Sequence, residues 1–255
     1  MLIIAFKLLI TPLMIGTVTM AGRRWGSVVS GLLIGLPLTS GPISFILACE
    51  YGVDFAAQSA IGGMAGQISI CMFCLTYAHV AQRFHWPISI VLAVAAFLLS
   101  TTALNRFTWQ LLPAFFSLLC CIVVVSRLIP LRPVQSKVSA PPRWDLPARI
   151  FTATTFVVVL TTLADALGPQ LSGLLAPFPV FGIVFAAFTH SQQGAKVTSN
   201  LLRGIVVSSV GYATFFIVVG SFLTELGIAL TYLMAAILAV SVSGMYYFIS
   251  RKLKQ

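Results

Sequence analysis

Long apolar stretches, separated by short polar ones, run the whole length of this chain. Each is about twenty residues long, the length a helix needs to cross the ~30 Å hydrocarbon layer of a bilayer. Nine spans are read: 1–21, 27–49, 55–81, 86–104, 107–130, 147–167, 169–190, 197–223 and 228–249. The short alternating segments of a β-barrel are not visible. The pattern predicts an all-α, polytopic membrane helix bundle. Only one polar stretch is long, "LRPVQSKVSAPPRWDL" over 131–146, and its prolines and basic residues mark an exposed linker.

Two of the spans are interrupted. "SGLLIGLPLTSGP", Ser30 to Pro42, carries three glycines and two prolines inside an apolar run, and "SGLLAPFPVFG", Ser172 to Gly182, does much the same. Proline removes a backbone donor and clashes with the preceding turn. In lipid, the carbonyls freed by such a break must find other partners.

The two interruptions belong to a repeat. Shifted by 142 residues without gaps, Gly26 meets Gly168, and Ser30-Gly31-Leu32-Leu33 meets Ser172-Gly173-Leu174-Leu175. Pro37 meets Pro179, Gly52 meets Gly194 and Gly62 meets Gly204. Spans one to four thus match spans six to nine, and the fifth has no partner. The units are 1–104, a linking span with basic loop over 105–146, and 147–255. Equivalent helices are five spans apart, an odd number, so the two repeats are expected to be inverted.

The charges carry the same expectation. With the N-terminus outside and the C-terminus in the cytoplasm, 13 of the 15 basic residues fall in cytoplasmic segments. Arg23 is matched by Asp165, Arg83 by Glu225, Asp54 by Lys196 and Glu50 by Gln192. A 4+1+4 inverted-topology bundle with broken helices is an organisation shared by many secondary transporters. Because residues 1–21 match an internal helix, they are not read as a cleaved signal.

Composition agrees: 59% of residues are hydrophobic and 8% charged, with mean hydropathy +1.03. The net charge of +10 lies in short loops, so it speaks for cytoplasmic loops and against nucleic acid as a partner. Cys49, Cys71, Cys74, Cys120 and Cys121 all fall in apolar runs, and the Cys71–Cys74 pair has no second pair to make a metal site. His79, His85 and His190 form no ligand spacing with acids, and no hydrolase or nucleotide-binding motif is present. The expectation is therefore a non-enzyme without a cofactor.

Gly173, Leu174, Phe178, Pro179, Phe181 and Gly194 make a pattern of Gly-Leu, then Phe-Pro-x-Phe, then Gly. In this the second repeat resembles the GlpM type of small bacterial inner-membrane protein, a single four-helix unit. Ala176 stands where that family has proline, and Gln192 and Gln193 stand where it has charged residues. The first repeat keeps Gly31, Leu32, Pro37 and Gly52, with Leu36 and Thr39 where aromatics would stand. The resemblance implies a fused, flipped pair of such units in a bacterial inner membrane.

If the two breaks meet at the midplane, they line a site. The first, Leu36 to Pro42, offers the Thr39 and Ser40 hydroxyls; the second, Pro177 to Gly182, offers Phe178 and Phe181. The following helices repeat Gln58, Gly62, Gly66, Ser69 as Asn200, Gly204, Ser208, Gly211, one face of small residues led by an amide. No acid stands at a span centre, which disfavours cation export; Lys7 and Arg203 are the charges within spans, and His190 lies near a cytoplasmic end. The candidate substrate-binding set is Pro37, Thr39, Ser40, Gly41, Pro42, Gln58, Pro177, Phe178, Pro179, Gly182, His190, Asn200 and Arg203. These point to a secondary transporter or flippase for an anionic or amphipathic substrate, embedded in lipid, with homo-oligomerisation left open. The rival expectation is a non-transporting scaffold of an envelope or exopolysaccharide system, with loop 131–146 as its contact surface.

Overall fold

In the computed structural model of the protein, residues 2–38, 40–129, 142, 144–167 and 178–252 are described, with the backbone alone described for 2–8, 10, 160–167 and 246–252. Every element among them is helical: α1 Leu2–Trp25, α2 Ser27–Gly35, α3 Ser40–Tyr51, α4 Val53–Val80, α5 Trp86–Leu104, α6 Leu111–Leu128, α7 Asp145–Leu167, α8 Val180–Leu226 and α9 Ile228–Lys252. Six stretches of the described residues are long and apolar enough to cross a membrane: Ser27–Tyr51, Val53–Val80, Trp86–Leu104, Leu111–Leu128, Val180–Leu226 and Ile228–Met245. The protein is membrane-embedded and helical. Nine spans are expected and six stretches of the described residues meet this measure, with α1 and α7 outside the six and α8 counted once. The linker expected over 131–146 is shorter than that, because Asp145 and Leu146 already belong to α7.

The outer faces fit this medium. Val91, Leu92, Leu98 and Leu99 of α5 are exposed, as are Leu233, Ile237, Leu238 and Val240 of α9. An apolar surface of this extent, intolerable in water, is what hydrocarbon solvates. The core holds Met64, Phe73, Tyr77, Phe97, Leu118, Phe185, Leu201 and Leu202.

At 47 residues α8 would be about 70 Å long if straight, more than twice a bilayer's hydrocarbon thickness. It is not straight. Gly194 interrupts it with φ 82 and ψ 174. Gly52, which separates α3 from α4, has nearly the same conformation, φ 92 and ψ 165. This region of backbone space is open to glycine almost alone. Gly194→Ala should therefore cost about 1–3 kcal/mol. Gly62→Ala, inside α4 with no described atom within 4 Å of the added methyl, should be neutral or slightly stabilising. Thermal melts of both variants in detergent check the contrast.

α8 is the central helix, packed on α2, α4, α5, α6, α7 and α9. Its segment after Gly194 crosses α4 antiparallel, with Gln82 just past α4 at Ser199, Gln67 at Ser209 and Gly63 at Tyr212, whereas the segment before Gly194 runs the other way along α4, Gly182 at Phe73 and His190 at Tyr77. It runs parallel to α2, with Gly31 at Gly204 and Gly35 at Ser208. α1 and α7 are antiparallel, since Arg23 at the end of one reaches Asp145 at the start of the other.

Candidate functional site

The first break is present, and of the second the residues from Phe178 on are described. In the first, α2 stops at Gly35 and Leu36 is extended at φ −72, ψ 154, as the residue before a proline prefers. Short turns follow, Leu38 N–H to Leu36 O at 2.8 Å and Gly41 N–H to Pro37 O at 2.8 Å. α3 then starts at Ser40, with Pro42 in its first turn, where a missing donor costs nothing. Pro37 and Gly41 are buried, Ser40 and Pro42 half-buried. Thr39 lies outside the described residues.

In the second, Pro179 at φ −80, ψ 55 precedes α8. Val180 N–H turns back to Phe178 O at 2.8 Å. Phe178 stands edge-on to Phe97 of α5 at 5.7 Å between centroids. Pro177 lies outside the described residues.

The two breaks do not converge. A methyl on Gly41 would lie 3.1 Å from Phe215 of α8, and one on Gly182 would lie 3.5 Å from Phe73 of α4. Phe73 and Phe215 each stand six residues beyond the Gln67–Ser209 crossing, in opposite directions on antiparallel helices. At 1.5 Å per residue they are about 18 Å apart along the axis. The expected single site between two facing breaks is thus replaced by two aromatic–glycine contacts, one on each side of the crossing.

The remaining candidates separate as well. Gln58 is exposed on α4, whereas Asn200 is buried in α8, so the two amides do not share one environment. Arg203 donates from Nη1 to the Ile129 carbonyl oxygen at 3.1 Å, at the C-terminal end of α6. A cation there satisfies a terminal carbonyl and the helix dipole. His190 Nδ1 stands 3.4 Å from the Tyr77 hydroxyl.

Two polar arrangements are not foreseen by the sequence reading. At the crossing of α4 and α8, buried Gln67 donates from Nε2 to Ser209 Oγ at 2.8 Å. The signal was in the repeat register, because these residues are themselves 142 apart. The second arrangement centres on Asp145, 1% exposed. It accepts from Arg149 Nε at 2.8 Å, Arg23 Nη2 at 3.0 Å and Gln192 Nε2 at 2.7 Å. Arg149 is itself 4% exposed, its guanidinium 5.3 Å from the Phe185 ring and 5.0 Å from the Phe188 ring. The i, i+4 spacing of Asp145 and Arg149 at a helix start was the available clue. Burial alone would raise the Asp145 carboxyl, but Arg149, Gln192 and Arg23 outweigh it and hold the group below the usual carboxylate range.

Among the described residues no group of three or more His, Cys, Asp or Glu is placed to hold a metal ion. No family model matches the chain, and no curated protein or solved structure matches it either. The likeness to the GlpM type rests on the residues quoted above alone.

Proposed function

We propose that the chain is a secondary transporter or flippase with nine crossings, built as two inverted four-helix repeats joined by α6. It moves a small anionic or amphipathic substrate by alternating access. The observation that carries this reading is the crossing of α4 and α8 at Gln67 and Ser209, partners 142 residues apart. A two-fold axis in the membrane plane makes equivalent helices meet antiparallel at equivalent residues. Two further pairs keep the register: Gly52 with Gly194, alike in backbone conformation, and Phe73 with Phe215, each covering the glycine of a broken helix. Inverted repeats with discontinuous helices are the build on which two access states exchange.

The test is a thermal-shift screen of the purified protein with organic anions, inorganic anions, lipid phosphates and hydrophobic cations. A ligand at a hundred times its Kd adds about 2.7 kcal/mol. A specific upward shift from one anionic or amphipathic class is expected. Flux of that compound into proteoliposomes should then fall in Pro37→Ala and Pro179→Ala while the variants stay folded. If no class shifts the melt, the transport reading is overturned and the assembly-component reading takes its place.

A further inference from the structure

We propose that Asp145, Arg149, Arg23 and Gln192 form a latch that holds one end of the bundle closed. The proposal rests on the transport reading for its purpose, though not for its test. α7 packs on two elements among those described, α1 and α8, and this cluster ties it to both. The tie to α8 is made by Gln192, two residues before Gly194, where α8 has its glycine-only break. The segment of α8 before Gly194 is therefore a separate half-helix, joined at one glycine and pinned beside that joint. Phe185 and Phe188, on the same face of that half-helix, stand against the Arg149 guanidinium.

The chemistry suits a contact that must open. An apolar seal loses burial free energy when water enters. Buried ions instead regain hydration on opening, which offsets the lost pairing and keeps the closed and open forms close in free energy. The groups facing Asp145 are Arg149 of its own helix, Arg23 of α1 and Gln192 of α8; Arg23 is 37% exposed, so water already reaches one edge. Counted by the 142-residue register, Lys7, Asp165 and Glu50 stand in sequence at the counterparts of Arg149, Arg23 and Gln192. Both repeats carry charged or amide residues at these three positions, whereas Asp145 itself falls on Ile3.

The experiment measures opening directly. Two versions of the full chain each carry a single thiol. One keeps only Thr189→Cys, a site 4% exposed between Phe188 and His190. The other keeps only native Cys74, fully buried in α4. Both are challenged in detergent with a water-soluble maleimide, alone and combined with Asp145→Asn, Arg149→Gln or the conservative Asp145→Glu. Losing hydrogen bonds to a charged group should speed labelling at position 189 by about tenfold or more in Asp145→Asn and Arg149→Gln. Asp145→Glu should stay near the parent rate, and Cys74 should remain protected throughout. Unchanged labelling at 189 overturns the latch. So does labelling of 189 and Cys74 at the same accelerated rate, which marks unfolding of the whole chain and not opening at this end. Failure here leaves the transport reading standing, since no substrate is involved; a silent ligand screen beside the expected labelling removes transport and keeps the latch.

Discussion

Gly204→Leu should abolish the monodisperse, cooperatively melting protein. α2 and α8 touch through their backbones at this point. A methyl on Gly204 alone would stand 2.7 Å from the Val28 carbonyl oxygen and 3.0 Å from the Gly31 Cα. These atoms are main chain and cannot swing aside. The neighbouring contacts allow no escape, since a methyl on Gly31 would meet the Leu201 carbonyl and one on Gly35 the Ser208 hydroxyl. In a membrane, helices associate through such close packing because lipid removes the hydrophobic drive between them. Overpacking by one or two methylenes costs about 1–3 kcal/mol in a core that can adjust; an isobutyl group against backbone should exceed about 3 kcal/mol. Gly62→Leu tests the aligned position of the first repeat. It should be the milder change, because Gly62 is exposed and no described atom stands within 4 Å of its added methyl. Size-exclusion profiles and melts of the two variants decide the matter. A wild-type melt for Gly204→Leu would remove the close α2–α8 contact from the fold.

Asp145→Ala should be the most damaging change to a charged residue. It leaves Arg149 buried against two phenylalanine rings with no carboxylate. Removing one partner of a buried pair typically costs 3–5 kcal/mol, and about 3 is expected here because the end can hydrate by opening. Asp145→Leu with Arg149→Met should recover most of the loss, since an apolar pair of similar volume carries no desolvation penalty. The sign of the pH effect follows from the lowered carboxyl. A group with a folded pKa below its unfolded value stabilises fully above the unfolded value, and loses that contribution as pH falls through the folded one. The melting temperature should hold from about pH 7 to 5 and fall below about pH 4, and Asp145→Asn should remove this cluster's share of the fall. An unchanged acid limb in that variant would show that the pair is not coupled to folding.

Hydropathy along the chain was enough to mark the six apolar stretches that are helical among the described residues, because a span must hide its backbone from lipid and so writes itself as a long apolar run. It placed the first break too, since proline and glycine act within one turn: Leu36 leaves the helix because Pro37 follows it. The 142-residue register was legible for the same reason, being a matter of residue types at fixed spacing. What hydropathy did not decide was which helices touch. The sequence puts Arg23 among the cytoplasmic charges, although it meets Arg149 at one buried carboxylate, because a positive-inside tally records sign and position but no partner. It matched Gln58 with Asn200 and passed over Gln67 and Ser209, which are the pair that meets. It brought the two breaks together at the midplane, whereas the antiparallel crossing of α4 and α8 carries Phe73 and Phe215, and with them Gly182 and Gly41, to opposite sides. Helix partners in a membrane are selected by shape, through glycines that admit another backbone and a few polar atoms that must be paired. Those are properties of two surfaces at once, and they exist only in the folded protein.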